Sequence, residues 1–157
     1  MIRNTTKKQK MGWVILILYM IGVAYFMFFA ESFDRLDVRQ EYHYNLVLFK
    51  EIKRFFIYRE QLGMKAFFLN IFGNMIGFMP FGFFLPVVSR RSRKWYNTVL
   101  LSFIFSLCIE VAQLILRVGS FDVDDMVLNT IGGALGFIAY RFVQKYRRRR
   151  MNGKRRT

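Results

Sequence analysis

Residues Trp95–Leu116 read WYNTVLLSFIFSLCIEVAQLIL, an apolar run long enough to cross a bilayer as an α-helix. A basic cluster ending in Lys94 precedes the run directly. The carboxyl of Glu110 stands inside the run, where a central charge costs about 2.5–3.5 kcal/mol on the insertion scale. The stretch therefore predicts a transmembrane helix that carries its carboxyl for a reason other than solubility.

Three further apolar runs surround this one, at Met11–Ala30, Lys65–Val88 and Asp125–Val143. Hydrophobic residues form 54% of the 157 residues, yet the net charge is +15. The two classes are separated into apolar runs and short clusters of Lys and Arg, which is typical of membrane proteins. The sequence predicts one domain over residues 1–157, an all-α integral membrane bundle of four transmembrane helices.

The basic clusters predict the orientation of this multi-pass chain. They precede the first run, join the second run to the third, and follow the fourth run as a tail at 144–157. The connections at Glu31–Met64, with six acidic and six basic residues, and at Leu116–Asp124 lack the basic bias. The positive-inside rule then places both termini in the cytoplasm. The basic tail is expected to meet anionic lipid, not nucleic acid.

The first outer connection contains YNLVLFKEIKRFFIYRE, beginning at Tyr44. Leu48, Ile52, Phe55 and Phe56 fall on one helical face of this segment, which is too short and too charged to span a bilayer. We expect a short amphipathic helix that lies at the outer interface or is re-entrant. An ordinary extracellular loop is the alternative.

Most polar residues inside the runs lie at similar predicted depths in the outer half of the membrane, and Asn74 lies nearer the midplane. The helical rise of about 1.5 Å per residue gives this placement. The residues within the runs are Asn70, Asn74, Glu110, Gln113 and Asn129, and those just above are Arg117, Asp122, Asp124 and Asp125. We expect these residues to share one pocket, although packing between helices is the alternative for the asparagines.

The residue types indicate two kinds of chemistry for this pocket. Asn and Gln suit hydroxyl or amide groups, and Arg117 suits a phosphate or carboxylate. Glu110 in a low-dielectric site, with Asp124 or Asp125 nearer water, suits general acid–base catalysis. The sequence predicts no metal site and no cofactor, because the single Cys108 and the single His43 have no partners at ligand spacing.

Three stretches together resemble the VanZ-like family. They are NLVLFKEI from Asn45, NIFGNMIGFMPFGFFLP from Asn70, and IEVAQLILRVGSFDVDDMVLNTIGGALG from Ile109. The resemblance covers about Tyr44 to Tyr140. It departs from the family pattern at Leu48, where proline is usual, which bears on the shape of the amphipathic segment. The resemblance adds Asn45 to the expected ligand-binding residues.

The resemblance implies a bacterial cell-membrane protein connected with sensitivity to teicoplanin-type glycopeptides. We expect it to engage a lipid-linked or lipidated molecule at the outer leaflet, with membrane lipids, lipid-linked cell-wall precursors or the lipoglycopeptide itself as partners. One alternative is a hydrolase or transferase that uses Glu110 with Asp124 or Asp125 on a lipid-linked glycan or phosphate. Another is a small scaffold in an envelope complex. The sequence leaves these readings and the oligomeric state open.

Overall fold

The computed structural model describes residues 7–32 and 42–153, which fold as a helical bundle. The helices are α1 Lys7–Ser32, α2 Lys50–Ile57, α3 Arg59–Leu62, α4 Met64–Val88, α5 Trp95–Leu116 and α6 Val123–Gly153. A 3₁₀ turn at Arg91–Arg93 joins α4 to α5. Two short strands, β1 Tyr44–Asn45 and β2 Phe121–Asp122, pair in parallel. The predicted all-α class is confirmed.

Three helices are long and apolar enough to cross a membrane, over Phe67–Val88, Trp95–Leu116 and Val123–Asn152. The described apolar part of the first helix, Gln9–Tyr25, is shorter than these three. Within the described residues, three of the four predicted runs therefore have both the length and the composition of a transmembrane helix, and the crossing by Met11–Ala30 stays a prediction.

The final helix is longer than its apolar run. α6 continues past residue 143 to Gly153, into the predicted basic tail, and its 31 residues extend about 46 Å. Other parts of the sequence predictions fall on residues outside those that the structure describes, namely Arg3 of the first basic cluster, residues 33–41 of the outer connection, and 154–157 of the tail.

Glycines bring α4 and α6 into backbone contact. A β-carbon at Gly82 would clash with the backbone of Gly133, and one at Gly136 would clash with the carbonyl of Met79. Close approach of helices through small residues is the usual means of association in apolar surroundings. The α4–α6 pair is therefore the rigid centre of the bundle.

The segment 42–57, here named the strap, crosses one end of this pair. Ile52 and Phe55 of α2 pack on a cluster formed by Phe67, Ile71 and Leu128. A short amphipathic helix in this connection is thus confirmed, and its apolar face covers α4 and α6. Pairing of β1 with β2 fixes the start of the strap beside the start of α6.

Candidate ligand-binding site

Glu110 lies on the buried face of α5, with 1% of its surface exposed. Its Oε2 atom accepts a hydrogen bond from the backbone N–H of Asp122 at 2.9 Å. The polar face of α5 continues from Glu110 toward the start of the helix. It includes Ser106, Ser102 and Thr98, which are fully buried at intervals of four residues. The Glu110 carboxyl on α5 is thereby hydrogen-bonded to the backbone just before α6.

Asp122 is the N-cap of α6. Its Oδ1 accepts the N–H of Asp124 at 2.8 Å and the side-chain amide of Asn45 at 3.1 Å. The first bond satisfies one of the free N–H groups at the start of a helix, and the second ties the strap to the bundle. Burial raises the pKa of the Asp122 carboxyl above its usual value of 3.8, although both hydrogen bonds act in the opposite direction.

Asp124 caps a different helix from its own. Its two carboxylate oxygens accept the backbone N–H groups of Phe49, Glu51 and Ile52, at the beginning of α2. Phe49 has φ 63°, in the left-handed region, so successive N–H groups converge on one anion. Hydrogen bonds to a charged acceptor contribute about 1.5–3 kcal/mol each, enough to offset the backbone strain at Phe49. Asp124 therefore holds the strap in place.

Asp125 and Asn74 form a more accessible pair between α6 and α4. The Asn74 side-chain amide donates to Asp125 Oδ1 at 2.6 Å, and both residues are only half-buried. Asn70 lies one turn before Asn74 on the same face of α4 and is also half-buried. Among residues 7–32 and 42–153, the Asn70 side chain makes no hydrogen bond to the other site residues. These three half-buried side chains form the rim of the site.

Asn129 lies one helical turn further along α6 and is completely buried. Its Nδ2 donates to Ser106 Oγ at 2.9 Å, but its Oδ1 has no hydrogen-bond partner within the described part of the chain. Gln113 is likewise buried, one turn beyond Glu110 on α5. We name the bonded set the polar cluster: Asn45, Asn74, Ser106, Glu110, Asp122, Asp124, Asp125 and Asn129.

Arg117 lies apart from the buried carboxyls. It ends α5 in the left-handed conformation and is exposed. Its guanidinium stacks on the ring of Tyr42, 4.6 Å from the centroid, and donates to the Tyr42 hydroxyl at 3.2 Å. The expected arginine therefore stands at the edge of the strap.

The structure thus separates the predicted site residues by their surroundings. Asn45, Asp122 and Asp124 are buried and bond to the strap and to α6. The other three, Asn70, Asn74 and Asp125, are half-buried. Sequence reasoning did not identify the capping of α2 by Asp124, since it joins residues about 75 positions apart. No group of three or more His, Cys, Asp or Glu side chains in 7–32 and 42–153 has an arrangement suited to a metal ion.

Membrane-length helices around a buried, hydrogen-bonded carboxyl network define a helical membrane protein. The sequence profile of the VanZ/LLP1 family matches residues 16–144, which include every helix of the bundle in whole or in part. The chain therefore belongs to the VanZ/LLP1 family.

A curated relative, Protein VanZ of Enterococcus faecium, is 32% identical over 79 residues. The aligned region covers 50% of this chain and 48% of the relative, so the chain spans about half the length of the curated relative that it matches. No solved structure matches this chain.

Proposed function

We propose that this protein is a multi-pass bacterial cell-membrane protein that binds the headgroup of a lipid-linked or lipidated molecule at the outer leaflet. Binding there alters the sensitivity of the cell to teicoplanin-type glycopeptides. Both termini lie in the cytoplasm, so the polar cluster and the strap lie at the outer surface.

The observation that carries the proposal is the half-buried rim next to the fully buried polar residues. The Nδ2 atom of Asn74 lies 2.6 Å from Oδ1 of Asp125, on two different helices. Asn70 extends this row by one turn of α4. Amide and carboxylate groups in such a row recognise hydroxyl, amide or amine groups. At the boundary of the hydrocarbon region, these are the groups of a lipid headgroup.

The charge of the polar cluster restricts the ligand. Glu110, Asp122, Asp124 and Asp125 concentrate acidic groups at this end, and Arg117 is placed on Tyr42 at the edge of the strap. Neutral or amine-bearing headgroups, including sugar and peptide parts of cell-wall precursors, fit this surface better than a phosphate does. Arg117 is the one predicted site residue that favours an anionic part of the ligand.

Fewer carboxyl groups are available for the enzymatic alternative than the sequence suggested. Asp124 uses both oxygens to accept three backbone N–H groups, and a carboxylate in that role is not a base for a substrate. General acid–base chemistry would therefore depend on Glu110 and Asp125. Binding without chemistry requires no such pair, and we favour it for this reason.

Thiol labelling tests the topology. In a Cys108→Ala background, we expect Glu60→Cys to react with an impermeant reagent in intact cells and Met151→Cys to resist it. Both positions are exposed on the protein, so access alone does not explain a difference. Labelling of Met151→Cys but not Glu60→Cys would reverse the proposed orientation.

Resistance assays test the site. In a glycopeptide-susceptible bacterium, Glu110→Gln and Asp125→Asn should remain in the membrane at normal abundance and lose their effect on teicoplanin sensitivity. Glu60→Gln is the matched control, because it makes the same change of carboxyl to amide on the exposed surface of α3. Gly136→Leu should instead lower abundance by separating α4 from α6. Full activity in both site variants would refute the proposal.

A further inference from the structure

A basic cavity lies at the opposite end of α6 from the polar cluster. It has a volume of about 620 Å³, and five basic side chains line it. They are Arg93, Arg141, Lys145, Arg148 and Arg149. The other lining residues include Tyr140, and none of the lining residues is acidic.

The cavity is built from two separate segments of the chain. Arg141, Lys145, Arg148 and Arg149 recur at the spacing of one helical face on α6. Arg93 comes from the 3₁₀ turn between α4 and α5, where its Nε donates to the carbonyl of Pro86 at 3.5 Å. That bond holds the Arg93 side chain across the end of α4, facing the basic stretch of α6.

The basic face of α6 is unfavourable for the helix on its own. Arg141 and Lys145 are four residues apart, as are Lys145 and Arg149, and like charges at this spacing repel. An anion bound among them would replace repulsion with attraction. Arginine forks bind phosphate oxygens in pairs, so a phosphate is the anion that this set suits best.

Exposed aromatic residues place the cavity at the level of lipid headgroups. Trp95 is 64% exposed and lies two residues after Arg93, and Tyr146 is 68% exposed on the same stretch of α6 as the basic residues. Exposed Trp and Tyr are enriched where hydrocarbon meets water. The boundary between hydrocarbon and water at this end of the apolar helices therefore lies beside the cavity.

We propose that this cavity is a binding site for the phosphate of an anionic phospholipid. The site is distinct from the ligand site at the polar cluster, and it needs only that the helices cross a bilayer. Tyr140 forms the apolar inner wall and the basic side chains surround the headgroup. Each basic residue near an anionic surface raises affinity about fivefold, so a cluster gives a clear preference over zwitterionic lipid.

Quenching of Trp95 fluorescence tests the proposal. The full-length protein carrying Trp13→Phe is reconstituted in vesicles, and quenching by brominated phosphatidylglycerol is compared with quenching by brominated phosphatidylcholine. The test variant combines Arg141→Gln, Lys145→Gln and Arg148→Gln. The control combines Arg90→Gln, Arg147→Gln and Arg150→Gln, which removes the same charge from exposed positions that do not line the cavity.

We expect the wild type and the control to prefer the anionic lipid, and the test variant to lose this preference by at least about fivefold. Circular dichroism should show equal helicity in all three. Equal loss in both variants would mean diffuse attraction to the surface and would overturn the proposal. So would displacement of the lipid by equimolar inorganic phosphate, which identifies a free-anion site, or by RNA, which identifies a nucleic-acid surface.

Discussion

The two ends of α6 differ in the sign and in the surroundings of their charged side chains. At its start, the carboxyls of Asp122 and Asp124 are buried and accept N–H groups from the backbone of the strap and of α6. At its other end, Arg141, Lys145 and Arg149 line an open cavity without an acidic residue among its walls. The bonded carboxyls hold elements in position, whereas the basic side chains that line the cavity are the ones that we propose to bind an anion.

Two neighbouring carboxyls within the polar cluster also differ, in this case in their burial. Asp124 and Asp125 are neighbours in the sequence, but Asp124 is 1% exposed and bonded to the strap, while Asp125 is half-buried beside Asn74. Adjacent carboxylates on a helix point in directions about 100° apart, so one supports the structure and the other faces the rim. This difference separates Asp124, which supports the structure, from Asp125, which we propose to bind the ligand.

Removal of the Asp124 carboxyl should have the largest effect on stability. Asp124→Ala leaves three backbone N–H groups of the strap without their acceptor, and each unsatisfied group costs about 1–3 kcal/mol. We expect a loss of about 3 kcal/mol or more in the free energy of unfolding, measured by denaturation in detergent. Trypsin should then cleave at Lys50, Lys53 and Arg54.

Asp124→Asn is the companion variant, because it keeps one acceptor oxygen and should lose less. A stable Asp124→Ala protein with a protected strap would show that Asp124 does not hold the strap, and the contrast with Asp125 would fail.

Substitution of Asp122 should change the free energy of unfolding less than substitution of Asp124 does, and the change should depend on pH. Burial raises the pKa of Asp122 in the folded state, so the folded protein binds more protons than the unfolded one above pH 3.8. The contribution of this group to stability is therefore present at acidic pH and is lost as pH rises through its folded-state pKa.

Asp122→Asn keeps an acceptor for Asn45 and for the N–H of Asp124, and removes this dependence. Thermal unfolding between pH 4 and 7 should show the wild type losing stability relative to the variant as pH rises. A wild type that gains stability over that range relative to Asp122→Asn would contradict the assignment.

Neutralising the basic cavity should have the smallest effect on stability. Arg141→Gln with Lys145→Gln removes repulsion at the spacing of one helical turn, worth about 0.2–0.5 kcal/mol per pair. We expect unfolding in neutral detergent to be unchanged or slightly more difficult. A loss above about 1 kcal/mol would show that these charges are structural, like those at the other end of α6.

The sequence predicted the helices well because apolar runs and basic clusters are local signals. Trp95–Leu116 has the predicted bounds, and the buried face of Ser106, Glu110 and Gln113 follows from helical spacing. Arg117 was expected to share the pocket just above these residues, yet it is exposed and stacks on Tyr42, because α5 ends there in a left-handed residue.

The contacts of the site were less predictable, because they join distant parts of the chain. The amphipathic pattern around Ile52 predicted a helix, but it gave no indication that Asp124 caps that helix or that β1 pairs with β2. The apolar run was predicted to end at Val143. α6 continues to Gly153 because the Lys and Arg residues that follow favour a helix. The basic cluster after Val143 therefore did not mark the end of the last helix, and the orientation that the basic clusters indicate stays a prediction.

Mass spectrometry of co-purified lipids tests whether the rim at Asn74 and Asp125 binds a lipid-linked molecule. We predict one lipid-linked species enriched with the wild type and with Glu60→Gln, and reduced about tenfold or more with Asp125→Asn, since lost contacts worth about 1.4 kcal/mol change binding tenfold. Identical lipid profiles for wild type, Glu60→Gln and Asp125→Asn would contradict the account.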